Sequence, residues 1–161
     1  VPPAPMLTSL FKALEASPTP INFNELYSAL QTKVVEGQEN PLAIIATARL
    51  YEVQKYCSMT GHVWDGYLIL GNRRAWEKLP EDLRAIVSRE LDKSALDERA
   101  DIAKLSVSLR TDLTAKGVTV NDVDRKAFRA ALSKTTFYKD WKSKYGDDAW
   151  NRLEAAAGKL T

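Results

Sequence analysis

One histidine, His62, and one cysteine, Cys57, are the whole imidazole and thiol stock of this chain. A single imidazole cannot build a histidine-rich metal centre, and a single thiol excludes an internal disulfide and any Cys-x-x-Cys metal or redox site. The sequence has no Gly-x-Ser-x-Gly elbow, no Walker A loop and no Gly-x-Gly-x-x-Gly turn. Acid pairs remain, Asp122 with Asp124 and Asp147 with Asp148. Each falls at the start of a predicted helix, where the dipole favours carboxylates without any catalytic role. Arg73 and Arg74 have the fork geometry that grips a carboxylate in two places, yet arginines at a helix start are more commonly just solvated. Asn40 is different. An amide side chain directly before Pro41, at the head of a predicted helix, gathers hydrogen-bond donors and the positive end of a dipole where an anion can sit. The same pattern also describes an ordinary N-cap, worth about 1 kcal/mol.

The elements that carry these groups are mostly helical. Met6, Leu7, Leu10, Phe11 and Leu14 recur at threes and fours, predicting a helix over 5–15 that Ser17-Pro18 stops. Thr19–Phe23 reads as a short extended stretch. Asn24 is then the expected cap of a helix bearing Leu26, Tyr27, Leu30 and Val34, closed by Gly37. A third helix begins at Asn40-Pro41, with its body in Leu42–Ala48. Met59–Val63 and Tyr67–Leu70 are candidate buried strands on either side of a Trp64-Asp65-Gly66 turn.

Asn72 is the expected cap of a short helix through Trp76, and Pro80-Glu81-Asp82 starts a long one. Its apolar stripe runs Leu83, Val87, Leu91, Ala95, Ile102, Leu105, Leu109, Leu113 to a closing Gly117. At 1.5 Å per residue it would extend about 50 Å. A helix longer than a domain of this size bridges two lobes or belongs to a larger body. A short strand at Val118–Val120 and three closing helices, Val123–Leu132, Phe137–Tyr145 and Asp147–Ala157, complete the pattern.

Composition narrows the class. With 161 residues, 45% hydrophobic and 27% charged, the chain can form one compact domain and is neither disordered nor fibrous. Its longest apolar stretch, Pro41–Ala48, falls well short of the roughly 18 residues a membrane helix needs. Twenty-three basic against twenty-one acidic residues, interspersed, leave +2. That balance argues against a nucleic-acid partner. The Val1-Pro2-Pro3 beginning reads as a mature product or a piece of something longer.

Ser17-Pro18-Thr19-Pro20, then Glu25-Leu26-Tyr27-Ser28-Ala29-Leu30-Gln31, then Gly37-Gln38-Glu39-Asn40-Pro41 form an ordered series. Leu50 to Lys55, Thr60-Gly61-His62 and Lys78-Leu79-Pro80 continue it. This series resembles the substrate-binding proteins of tripartite ATP-independent periplasmic (TRAP) transporters over essentially the whole chain, most sharply from Ser17 to Val63. The resemblance implies an α/β, helix-rich fold: one lobe of a two-lobed periplasmic-binding-protein-like receptor plus a long cross-lobe helix. Residues 1–65 and 106–161 would form the second lobe and 66–105 would cross to the first, whose main part lies upstream in the family.

The implied function is non-enzymatic: capture of a small organic carboxylate in the periplasm by hinge closure and delivery to the TRAP membrane subunits, with no cofactor or metal. By resemblance Asn40 faces the ligand carboxylate, Phe23 packs on its carbon skeleton, Glu39 and His62 hold water or orient the anchoring groups, and Trp64 tunes selectivity. The family's clamping arginine precedes the Val-Pro that matches Val1-Pro2. The crossing segment is expected to need a copy of the missing N-terminal half, or exchange with an identical chain, to cover its apolar face. Two other readings stay open, a helical interaction or scaffold module and an extracytoplasmic carboxylate sensor domain.

Overall fold

The structure, a computed structural model, describes residues 1–160. Seven helices and two strands follow one another as α1 (Pro5–Ala13), α2 (Phe23–Gln31), α3 (Leu42–Thr47), β1 (Tyr56–Met59), α4 (Arg73–Glu77), α5 (Glu81–Ala115), β2 (Thr119–Asp122), α6 (Arg125–Ser133) and α7 (Phe137–Ala157). A 3-10 turn, Leu50–Glu52, lies between α3 and β1. The strands run parallel, Tyr56 opposite Thr119, Cys57 opposite Val120, Ser58 opposite Asn121 and Met59 opposite Asp122.

Packing explains this order. Leu26 and Leu30 of α2, Ile45 of α3, Leu50, Leu113 of α5 and Val118 form one buried cluster, with Cys57 and Val120 of the strands packed against it. Leu113 is fully enclosed, which removes a side chain worth about 1.5–3 kcal/mol from water. A second layer joins the chain ends, α1, α6 and α7 in mutual contact, with Leu10, Leu132, Trp141 and Trp150 buried. α7 is two helical stretches divided at Gly146, whose φ of 81° and ψ of 163° lie outside any helix; the left-handed half of the map is open to glycine at little cost.

The long helix is present from Glu81 to Ala115, with Pro80 at its N-cap position and Glu81 and Asp82 in its first turn. Only its last part is packed: no residue of 81–108 is buried, while Leu109 and Leu113 are. Asn72 caps α4 as its sequence position requires, its side-chain oxygen accepting from the Ala75 amide.

Three local expectations shift. α2 begins at Phe23, with Asn22 and not Asn24 at the cap position, so Phe23 opens a helix where an extended segment was expected to end. The Leu26 and Leu30 periodicity fixes which face is buried but leaves the first turn free to start earlier. The strand expected at Met59–Val63 lies at Tyr56–Met59, because Gly61, at φ +55°, turns the chain out of the sheet. Tyr67–Leu70 is not a strand: its four side chains are exposed, and among the described residues it has no sheet neighbour with which to exchange backbone hydrogen bonds.

Candidate functional site

The start of α2 and the loop before α3 face the first residues of the chain across a depression of about 70 Å³. Val1, Pro2, Pro3, Ile21, Phe23, Leu26, Gln38, Glu39 and Asn40 line it. Apolar side chains and the polar Gln38, Glu39 and Asn40 share its wall, a mixture that suits a small molecule with a carbon skeleton and one charged end. Phe23 is 53% exposed there, so its ring is available to a ligand and is not spent in the core. Val1 joins the wall to the chain before α2, its nitrogen donating to the Thr19 carbonyl at 3.0 Å.

Asn40 does not cap α3. The residue in cap position is Pro41, and the helix has no side-chain cap hydrogen bond. Asn40 instead donates through Nδ2 to Oε1 of Gln38 at 2.7 Å. Two residues of the Gly-Gln-Glu-Asn-Pro run thus hold each other at the rim, and sequence reasoning did not single out Gln38. An amide donor already aligned by a neutral acceptor can be re-aimed at an anion, for which it makes a stronger bond.

Glu39 and His62 are brought together from 23 positions apart. His62 Nε2 lies 3.1 Å from Glu39 Oε2, and Nδ1 lies 2.6 Å from the Thr60 hydroxyl. An ionised carboxylate only accepts, so Nε2 carries a proton; in the neutral ring the Thr60 hydroxyl then donates to Nδ1. Phe11 of α1 meets the imidazole edge-on, centroids 5.3 Å apart. Both polar side chains are largely sheltered, at 20% and 14% exposure. Trp64 is not part of this group: it is 91% exposed and does not line the depression.

The remaining chemistry-bearing groups lie elsewhere. Cys57 is half-buried on β1, and burial pushes its thiol pKa up, away from the thiolate that nucleophilic chemistry needs. Asp124 caps α6, accepting from the Lys126 amide at 2.9 Å. Arg73 holds Glu77 across one helical turn at 2.7 Å. Among the described residues no cluster of three or more His, Cys, Asp or Glu side chains is placed to hold a metal, and no helix is long and apolar enough to cross a membrane.

The structure is a helix-rich α/β body with a small depression lined in part by the Gly-Gln-Glu-Asn-Pro run. The family model for bacterial extracellular solute-binding proteins, family 7, matches residues 1–143, and the chain belongs to that family. The sialic acid-binding periplasmic protein SiaP of Vibrio cholerae is 33% identical over 155 residues, 96% of this chain and 48% of that protein. A TRAP periplasmic solute binding protein from Bordetella bronchispeptica shares the fold with a TM-score of 0.83 at 30% identity, covering 98% of this chain and 50% of the other. One from Roseobacter denitrificans, with bound L-galactonate, gives 0.72 at 34% identity over 84% of this chain and 45% of the other. The chain spans about half the length of these relatives. Its fold is therefore that of one lobe of a two-lobed binding protein, as the sequence motifs imply.

Proposed function

We propose that this chain forms the ligand-anchoring lobe of the extracytoplasmic solute-binding component of a TRAP transporter. In the periplasm it captures a small organic carboxylate, without catalysis, and hands it to the membrane subunits after hinge closure. The observation that carries this reading is the convergence of Phe23, Gln38, Glu39 and Asn40 on one depression in a chain of the solute-binding family. Asn40 gives up Gln38 to donate to the ligand carboxylate, Phe23 packs on the carbon chain, and the Glu39–His62 pair orients water or the ligand's polar groups. Trp64, on the way out of the lobe, faces the ligand only when the second lobe closes. Sugar acids fit best, since relatives are named for or hold sialic acid and L-galactonate.

Residues 1–65 and 106–161 belong to this lobe in our reading, and 66–105 cross to the other. The exposed face of α5 and the bare Tyr67–Leu70 segment support it, because soluble monomers rarely leave such a patch uncovered. An upstream half of the receptor, or an exchanged identical chain, is the expected cover. Light scattering on this polypeptide tests that part, and a monodisperse monomer counts against the crossing.

The functional test is a thermal-shift screen of the parent protein, upstream half included, against aldonic, uronic and sialic acids and short dicarboxylates. A ligand raises the melting temperature by mass action. Silence across the panel would leave the scaffold reading, which needs no ligand, in its place.

A further inference from the structure

We propose that Arg125 is a positioning residue for the Glu39–His62 pair, acting through Gly61. A methyl group built on Gly61 would stand 2.7 Å from Cζ, 2.9 Å from Nη2 and 3.0 Å from Nε of Arg125. Three nearly equal distances, with the central carbon nearest, mean that the flat face of the guanidinium lies against the glycine. Two independent requirements therefore fall on residue 61. Its φ of +55° disfavours any side chain, and the space a side chain would fill is taken by the guanidinium.

Arg125 reaches Gly61 from the head of α6. It is the first residue of α6, directly after the Asp124 cap. Asp122 lies close enough for the Arg125 charge to help lower its pKa, but its two oxygens are occupied by Arg110 at 2.9 and 2.8 Å. Asp122 thus attracts Arg125 without claiming its hydrogen bonds, and the face of the group stays free to stack. Gly61 stands between Thr60 and His62, whose side chains bond each other at 2.6 Å. Pressing on Gly61 fixes this three-residue turn, and the turn aims Nε2 at Glu39. A lysine cannot do this, since its ammonium is a point charge without a flat face.

The inference rests on the placing of Glu39 and His62 in the ligand site, but its test needs no ligand. His62 is the only histidine, so a long-range nitrogen–proton spectrum of the full chain reports one imidazole without ambiguity. In the wild type the neutral ring should show the single pattern of a proton fixed on Nε2. Arg125→Ala and Arg125→Lys should both lose it to an averaged pattern while circular dichroism stays unchanged. If both variants keep the wild-type pattern, or if the lysine variant alone keeps it, the stacking role is overturned. Should the alanine variant fail to fold, the lysine variant decides by itself, because it alters one exposed side chain and keeps its charge. A fixed wild-type pattern lost in both variants supports the role even if every acid fails in the thermal screen.

Discussion

Trp141 Nε1 donates to Ser9 Oγ at 2.8 Å, joining α7 to α1 across 132 positions of sequence. Trp141 is buried, and Ser9 also donates to the Met6 carbonyl at 2.9 Å, so the hydroxyl serves both helices. The bond fastens this layer with a polar contact beside its apolar ones.

Removing either end should not cost the same. Trp141→Phe leaves Ser9 with its backbone partner and should lose about 1 kcal/mol for the bond, besides its packing change. Ser9→Ala strands a buried indole N–H and should cost about 1–3 kcal/mol with no large atom removed. Urea melts of the two variants decide it, and a Ser9→Ala change below a few tenths would show that the indole finds water instead.

Leu113→Ala, which empties a fully enclosed site, should destabilise this chain by about 2–5 kcal/mol. Leu91→Ala, on the uncovered part of the same helix, should stay within about 0.5 kcal/mol here. In the parent protein Leu91→Ala should become costly if the other lobe covers it. Equal, small effects of Leu91→Ala in both proteins would remove the crossing segment from the interface.

Acid should weaken two surface clasps. Glu52 accepts from the Tyr27 hydroxyl at 2.8 Å and from the Arg49 guanidinium, and these bonds, Tyr27 first, hold its carboxyl below the usual value. The Arg110 fork does the same for Asp122. Both pKa values are lower folded than unfolded, so their stabilisation is present above the ordinary carboxylate pKa, about 4, and is lost as pH falls through the folded value. Melting temperatures of the wild type should drop more steeply below about pH 4 than those of a Glu52→Gln/Asp122→Asn double variant. Parallel curves would mean that neither clasp matters to folding.

Asn40→Ala should affect ligand and fold unequally. Because Asn40 makes no capping bond, its removal should change the unfolding free energy by only a few tenths of a kcal/mol. Loss of a hydrogen bond to a charged ligand should cost about 1.5–3 kcal/mol of affinity in the parent. Calorimetry beside denaturant melts separates the two, and an affinity loss no larger than the stability loss would exclude direct contact.

The ends of α5 were legible in the sequence because both signals are local, a proline before it with two acids in its first turn and a glycine after it. The Asn72 cap was legible for the same reason. Asn40 misled: Asn-Pro at a helix start reads as a cap, but the structure turns the amide toward Gln38, a choice made by the loop and not by the dipeptide. Tyr67–Leu70 has the composition of a strand and lacks a neighbour, and no local rule supplies one. Phe23, Glu39 and His62 came from family motifs alone, since the 22 residues between Glu39 and His62 hide their meeting from any periodicity. Arg125 carried no signal of its own in the sequence.

The stretch from Thr60 to Pro80 is under a length constraint. It must leave the end of β1 and reach the head of α5, while α5 runs back to deliver β2 alongside β1. The 35 residues of α5 make a rod of about 52 Å. The return path has 21 residues, of which α4 takes 5 in helical form. At no more than about 3.3–3.6 Å for each extended residue and 1.5 Å for each helical one, it can span roughly 60–65 Å. That reach exceeds the rod, which leaves chain for the Thr60–His62 turn and for α4 on the way to the head of α5.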